Sequence, residues 1–338
     1  MDKLFKKAAV FTDIHFGLKS NSQLHNEDCL NFVIWATAEA KKQGCDVALF
    51  LGDWHNNRAS INIVTLNYSL RALEHLNDNF GAVYFIPGNH DLYYRDKRDI
   101  QSVAWARHLP RVNIVNDWFN SGDVAICPWL VGEDHKKLRF LDKQYVFGHF
   151  ELPTFLMNAM VEMPSHGEVS ADDLRSAGHV FSGHFHMRQT KQNITYIGNC
   201  FPHNYADAGD DARGLMILEW GQEPVYHAWP DQPTYRVMNL STAIDSADTV
   251  FRQGMHVRLQ LDIDISYEEA NYIKETFHEK YRLREVSLIP NKLHGVETDL
   301  APGNVKFESV DQIVTQQITD ISSEHYDNGL LLEIWHNL

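Results

Sequence analysis

Five short stretches of this 338-residue chain gather carboxylates, a carboxamide and imidazoles next to glycine or to one another. They are Asp13-Ile-His15, Gly52-Asp53, Gly88-Asn89-His90-Asp91, Gly148-His149 and Gly183-His184-Phe-His186. Side chains alternate along an extended backbone, so the two ends of Asp-x-His or His-x-His project the same way where the chain is extended. The neighbouring glycines let backbone and ion approach closely. Oxygen and imidazole donors without thiolate suit divalent manganese, iron or zinc better than calcium or magnesium. An aspartate flanked by two such groups can bridge two ions about 3.5–4 Å apart, a pair that clamps a phosphoryl oxygen and activates water for in-line attack. Each stretch has a plainer reading when taken singly. A lone Asp-x-His is more often a capped turn, and Asn and Asp are ordinary turn residues. Five stretches in order, each behind an apolar run, make that reading insufficient.

Those runs are the elements that must position the polar groups. Lys7 to Phe11, Asp46 to Leu51 and Gly81 to Ile86 read as strands ending on the first three stretches. Asn26 to Gln43 and Ile63 to Leu76 carry apolar residues at helical spacing. Strand, polar loop and helix in alternation imply βαβ units and a largely buried sheet, whose ligand sites lie beyond the carboxyl ends of the strands. Further strands are predicted at Val112 to Val115, Val124 to Cys127, Tyr145 to Phe147, Val180 to Ser182, Ile194 to Ile197 and Leu215 to Trp220. Few helices separate some of these, so part of the sheet is expected to be antiparallel.

Hydrophobic residues at 44% and charged residues at 22% exclude wholesale disorder, a collagen-like repeat and a coiled-coil rod. No apolar run reaches membrane-spanning length, so no membrane partner is expected. The first residues lead straight into a strand-like segment without a signal-peptide core. The 4 cysteines, Cys29, Cys45, Cys127 and Cys200, are scattered, which fits a reducing cytoplasm and neither a disulfide framework nor a thiolate zinc site. With 30 basic against 45 acidic residues the net charge is −15, which argues against coating nucleic acid by bulk charge but leaves room for a local basic groove or bound cations.

The texture changes near Pro230 to Pro233. Beyond it, Val257 to Ile265 alternates like a half-exposed strand, Ser266 with Glu269 forms a capping box that opens a helix to about Tyr281, and Val286 to Ile289 reads as a strand. This is a small α+β module. A last segment follows, with a helix start at Ser309 and one apolar face through Val310, Ile313, Val314, Ile318 and Ile321. From Thr298 to Leu338 seven acidic residues face one basic residue, a net of −6. The organisation expected is 1–232, 233–297 and 298–338.

The set of five stretches, spanning residues 10 to 187, resembles the calcineurin-like metallophosphoesterases. That resemblance implies an α/β fold, a four-layer α/β/β/α sandwich with a dinuclear metal centre. It implies that Asp13, His15 and His186 hold one ion, that Asn89, His149 and His184 hold the other, and that Asp53 bridges them. It also implies that His90 stabilises or protonates the leaving oxygen, with Asp91 orienting it. Manganese is the first expectation for the two divalent ions, with magnesium, iron or zinc as the others. Within the superfamily the chain is most similar to the SbcD/Mre-type DNA-repair nucleases in their compact phage-type form. The segment Gly52-Asp53-Trp-His-Asn-Asn-Arg58, the sequences Gly-His-Phe-Glu and Gly-His-Phe-His, and Tyr196-Ile-Gly198 followed by Asp210-Asp-Ala-Arg-Gly214 carry that similarity. Beyond residue 230 it rests on layout. It implies a metal-dependent DNA exonuclease or endonuclease, an α+β DNA-capping domain, and a C-terminal helical tail that docks an SbcC-type SMC-like ATPase. It further implies a homodimer and a cytoplasmic location, which for a phage-type protein is the host cytoplasm. Two other readings stand beside it: a phosphomonoesterase or small-molecule or cyclic-nucleotide phosphodiesterase, and a non-catalytic scaffold on the same fold.

The chain departs from the family pattern in two places. Where members often carry His or Asp three residues after the second-motif aspartate, it has Asn56, with His55 one position earlier. Either of the two is a candidate substrate contact. The loop Gly198-Asn-Cys-Phe-Pro202 lacks the usual Gly-Ser/Thr-Pro order. Arg58 beside the second motif is a candidate phosphate ligand. Tyr93 to Arg111, with Tyr93, Arg95, Lys97, Arg98, Arg107 and Arg111, reads either as a track for a DNA backbone or as a solvated helix face. His25, His75, His108, His278 and His325 read as surface residues, and Trp129 reads as core. The terminal run Leu330 to Trp335 reads as a docking segment for a partner.

Overall fold

The computed structural model describes residues 3–158, 161–165, 169–290, 318 and 327–336. They fall into two compact units, Met1–Arg236 and Val237–Leu338.

The first unit is built on two six-stranded sheets. The first sheet has the order β14-β13-β1-β2-β3-β4, with β1 (Lys7–Phe11), β2 (Val47–Phe50), β3 (Ala82–Phe85), β4 (Val112–Ile114), β13 (Gly214–Glu219) and β14 (Val225–Ala228). Strands β1 to β4 run parallel, and β13 joins β1 antiparallel. The second sheet has the order β11-β12-β10-β7-β6-β5, with β5 (Phe119–Ser121), β6 (Val124–Ile126), β7 (Tyr145–His149), β10 (His179–Gly183), β11 (Gln189–Lys191) and β12 (Ile194–Tyr196). Its four inner strands are parallel and its edges antiparallel. The mixed character expected from the sequence is therefore present, and it lies at the sheet margins.

The strands are apolar on both faces because each face meets a different core. In β1, Ala9 and Phe11 enter one core, where Phe32, Val33 and Ala36 of helix α2 (Gln23–Lys42) and Leu73 and Leu76 of α3 (Ile63–Asn79) cover the sheet. Ala8 and Val10, on the opposite face, join Ile126, Tyr145, Phe147 and Phe181 of the second sheet in a core between the sheets. Val146 and Val180 point the other way, into a third core with Leu138, Phe155 and Leu174. Period-two alternation between two buried faces is what makes these strands read as continuous apolar runs. The outermost layer on the second sheet holds little helix. It consists of 3₁₀ turns, the four-residue α4 (His135–Leu138) and the hairpin of β8 (Leu156–Asn158) and β9 (Val161–Glu162). α1 (Leu18–Asn21) is a single turn with Lys19 and Ser20 in the left-handed region.

The second unit begins within β15 (Tyr235–Asn239) and continues through α5 (Leu240–Val250), β16 (His256–Leu261), α6 (Tyr267–Tyr281) and β17 (Glu285–Pro290). Its own core contains Leu240, Phe251, Val257, Leu259 and Phe277. Ser266 and Glu269 form the reciprocal capping box that opens α6. The alternating strand stops at Leu261 and does not continue to Ile265. Asp262 instead turns its carboxylate to the N-terminus of α5, accepting the Ser241 N–H at 3.0 Å. Helix α5 and the edge strands β5, β11 and β14 were not legible in the sequence. The edge strands are short and half solvated, so they carry little apolar periodicity. The C-terminal helix α7 covers Asn328–His336. The expected helix from Ser309 lies outside the described residues, apart from Ile318, which is helical. Among the described residues no helix is long and apolar enough to cross a membrane.

Candidate metal centre

The polar stretches sit at the carboxyl ends of β1, β2, β3, β7 and β10, and the backbone knits the first two together. Asp13 N–H donates to the Gly52 carbonyl at 2.9 Å and His15 N–H to the Asp53 carbonyl at 3.1 Å. Asp13, His15, Asp53 and His184 all adopt positive φ, between 52° and 91°. Non-glycine residues rarely hold that conformation, and such strain gathers at functional sites. Glycine is required where the sheets converge. A Cβ on Gly88 would strike the Asp53 carboxylate, one on Gly52 the His149 ring, and one on Gly183 the Thr12 hydroxyl.

Two groups of donor atoms result, Asp13 with His15 and His186, and Asp53 with His149 and His184, each with its ligand atoms within 4.8 Å of one another. His15 Nε2 lies 3.2 Å from His186 Nε2. Asn89 Oδ1 lies 3.1 Å from His149 Nε2 and 3.0 Å from His184 Nδ1. Asp53 Oδ2 stands between the groups, 3.8 Å from His15 Nε2 and 3.4 Å from His149 Nε2. The seven residues named from the sequence are thus brought to one place.

The electrostatics suit cations. Burial raises the Asp53 carboxyl pKa, but the charge and hydrogen bond of His149, with the charges of His15 and His90, outweigh it and hold the group far below the usual carboxylate range. Burial pushes His15 well below the ordinary imidazole range, with Asp53 opposing. His186 is lowered by burial in the same way, with Asp13 opposing. Neutral imidazole is the form that binds metal. His149 moves up to about 9, against its burial, because its partner is the Asp53 carboxylate. A carboxylate kept ionised, two imidazoles held neutral at His15 and His186, and a His149 proton that a bound cation would displace fit a pair of divalent ions.

The remaining residues named from the sequence separate into two sets. His90, Asn56, Arg58 and Arg95 line a cavity of about 690 Å³ together with Asn89 and His184. His55 does not reach it. Its ring is buried between the hydroxyls of Ser102 and Ser69, at 2.7 and 2.9 Å, and burial pushes its pKa down to about 3. Of the two alternatives, Asn56 is the one at the cavity. Asp91 does not orient the His90 ring. Its carboxylate accepts the N–H groups of Trp54, His55 and Gly88 at 3.0, 2.8 and 3.0 Å, and so ties the second motif to the third. Tyr93 is 50% exposed and does not line that cavity. Arg98 and Arg111 do not track a ligand from a helix face. Arg98 pairs with Asp134 at 2.5 Å, and Arg111 donates to the Asn77 carbonyl at 3.1 Å. The segment 93–103 has no helix, and a short 3₁₀ turn follows at Ala104–His108.

Several residues at the centre were not recognised in the sequence. His25 is buried, not superficial, and its Nε2 donates to the His15 carbonyl at 3.0 Å. Trp129 is half-buried at the site wall, its ring centroid 5.5 Å from His184 and 5.7 Å from His149. His203 is buried, and among the described residues neither of its ring nitrogens has a hydrogen-bond partner; its ring lies 5.5 Å from His15 and 5.4 Å from His186. Arg213 donates to the His186 carbonyl at 2.7 Å and pairs with Asp207 at 3.1 Å. The signal for His203 was its place after Gly198 at the end of β12, a further parallel strand beside β10.

The chain has relatives among known proteins. Exonuclease subunit 1 of Enterobacteria phage T4 is 26% identical over 216 residues, which cover 61% of this chain and 62% of that protein. The chain thus aligns with less than two thirds of that relative's length. Among solved structures, the nuclease MPE of Pseudomonas putida is 16% identical, with a TM-score of 0.33, over 62% of this chain and 84% of its own. A dimetal phosphatase from Danio rerio is 11% identical, with a TM-score of 0.38, over 64% of this chain and 92% of its own. The family profile of the calcineurin-like phosphoesterases matches residues 6–188, more than half of the chain and all five polar stretches. The chain belongs to the calcineurin-like phosphoesterase family.

Proposed function

We propose that this chain is the nuclease subunit of a metal-dependent DNA-processing complex and hydrolyses phosphodiester bonds with two divalent ions, manganese first among them. The observation that carries this reading is the position of Asp53 Oδ2 between the two donor groups, beside an open cavity that also holds His90, Arg58 and Arg95. Asp13, His15 and His186 would hold one ion and Asn89, His149 and His184 the other, with Asp53 shared. Bound there, such ions neutralise phosphate charge and lower the pKa of water. Arg58 and Arg95 supply charge to the phosphates on either side of the scissile one. His90 exchanges a proton with the leaving oxygen. The similarity to a phage exonuclease subunit supports a nucleic-acid substrate and a multi-subunit assembly, to which the sequence resemblance adds a partner ATPase of SbcC type. The C-terminal segment is the part assigned to that partner, the α+β unit caps DNA, and two copies form the working assembly. The four cysteines are all buried free thiols, in keeping with a reducing cytoplasm.

The test incubates the full chain and manganese with labelled duplex DNA, in parallel with a generic phosphodiester and a phosphomonoester. DNA cleavage supports the reading. Monoester turnover alone selects the small-molecule phosphatase. Two bound ions without turnover of any substrate select the scaffold.

A further inference from the structure

A second cavity, of about 180 Å³, adjoins the metal centre, with Trp129, Leu130, Gly132, His149, Glu151 and Val169 in its lining. Trp129 and Glu151 line the larger cavity as well, so the two spaces meet at the indole and the carboxylate. Trp54, close by, shows what a structural tryptophan looks like in this fold: it is 0% exposed and its Nε1–H donates to Ser69 Oγ at 2.8 Å. Trp129 is only half-buried, and its indole forms a wall between the imidazoles of His149 and His184 and open space. The wall is braced from behind. The Trp129 carbonyl accepts Arg98 Nη1 at 2.7 Å, and Arg98 is held by Asp134, whose carboxylate also accepts the Val131 N–H at 3.3 Å. A braced flat aromatic surface with room in front of it, next to where a phosphate would bind, has the properties of a stacking platform.

We infer that this smaller cavity is a nucleobase pocket, in which Trp129 stacks on the base of a nucleotide whose phosphate lies at the metal centre. The inference rests on the phosphodiesterase reading above. A base is a flat π-system, and stacking on an aromatic side chain tolerates any of the four. Glu151, whose Oε1 lies 3.6 Å from His184 Nε2, stands where the two spaces meet. A base enters such a pocket only when unstacked, so the substrate is a single strand or a frayed end, and Trp129 is a specificity-determining residue for it.

The test uses two esters with one leaving group, thymidine 5′-(p-nitrophenyl phosphate) and methyl p-nitrophenyl phosphate, on the manganese-loaded full chain. The ratio of kcat/KM for the nucleoside ester to that for the methyl ester is expected to fall about 5- to 150-fold in Trp129→Leu, the worth of one base–aromatic stack. Trp129→Phe is expected to restore most of it. A ratio within twofold of wild type in Trp129→Leu, or a Phe variant no better than Leu, overturns the pocket. If neither ester turns over, the hydrolase reading fails separately. The pocket is then read by calorimetry, as a preference for thymidine 5′-monophosphate over ribose 5-phosphate that Trp129→Leu abolishes. An equal affinity for the two in wild type refutes it.

Discussion

The ring of His90 is oriented by the backbone of Asn56: Nδ1 lies 2.7 Å from the Asn56 carbonyl oxygen. A carbonyl only accepts, so Nδ1 carries hydrogen, and Nε2 is the nitrogen that takes up or releases a proton. The loop after β2 thereby sets the tautomer of the residue after β3, which is the task the family resemblance assigned to Asp91. His90→Ala is expected to lower DNA or phosphodiester hydrolysis about 10²- to 10⁴-fold, the usual worth of a general acid–base group. Metal content, measured by elemental analysis, should stay at that of wild type. An unchanged rate removes His90 from the chemistry.

Asp53→Asn separates charge from shape. The Asp53 backbone holds φ 60°, which Asn tolerates better than most residues, and its Oδ1 accepts the His90 N–H at 2.8 Å, which a carboxamide oxygen can still do. What Asn cannot supply is a charged oxygen between the two donor groups. Metal content is expected to drop at both positions, and hydrolysis by more than about 10²-fold, beyond the effect of losing a group that only supports a ligand. Wild-type occupancy of both sites would refute the bridging role.

Asp134 reports on the brace behind the metal centre. Burial raises its pKa, but hydrogen bonds from Arg98, Lys137 and Trp118 outweigh it and hold the carboxyl down to about 2. Its folded pKa lies below the unfolded value of about 3.9, so the stabilisation is complete above roughly pH 4 and is lost as pH falls towards 2. Arg98→Ala is expected to cost about 1.5–3 kcal/mol at neutral pH, the range for a hydrogen bond to a charged group. Urea denaturation should show the gap from wild type closing as pH falls through that window. A gap that does not change with pH would place the destabilisation elsewhere.

The metal-centre residues were legible by type and by their place behind buried strands; the extended backbone expected within Asp-x-His and His-x-His is absent, since Asp13, His15 and His184 hold positive φ and His184 and His186 fall in different donor groups. Asp13 and His15 are two apart, as are His184 and His186; each pair follows a buried strand, and Gly52, Gly88 and Gly183 stand where no Cβ fits. Strand positions β1, β2, β3, β7 and β10 were legible for the same reason: strands buried on both faces become runs of Val, Ala and Phe that solvent cannot interrupt. The sequence alone could not show which polar group faces which. His55 and Asn56 are neighbours, yet one ring is locked between two serines 14 and 47 residues away while the other side chain reaches the cavity. Asp91 could not be distinguished from an orienter of His90, because its partners include backbone N–H groups of a loop some 36 residues earlier. Trp129 and His25 carry no local pattern and His203 offers only its place after β12; each joins the centre through contacts between separate elements. Ligand identity depends on residue type and local spacing, which a sequence records. Hydrogen-bond partners and cavity walls depend on contacts between distant segments, and those are decided when the sheets pack.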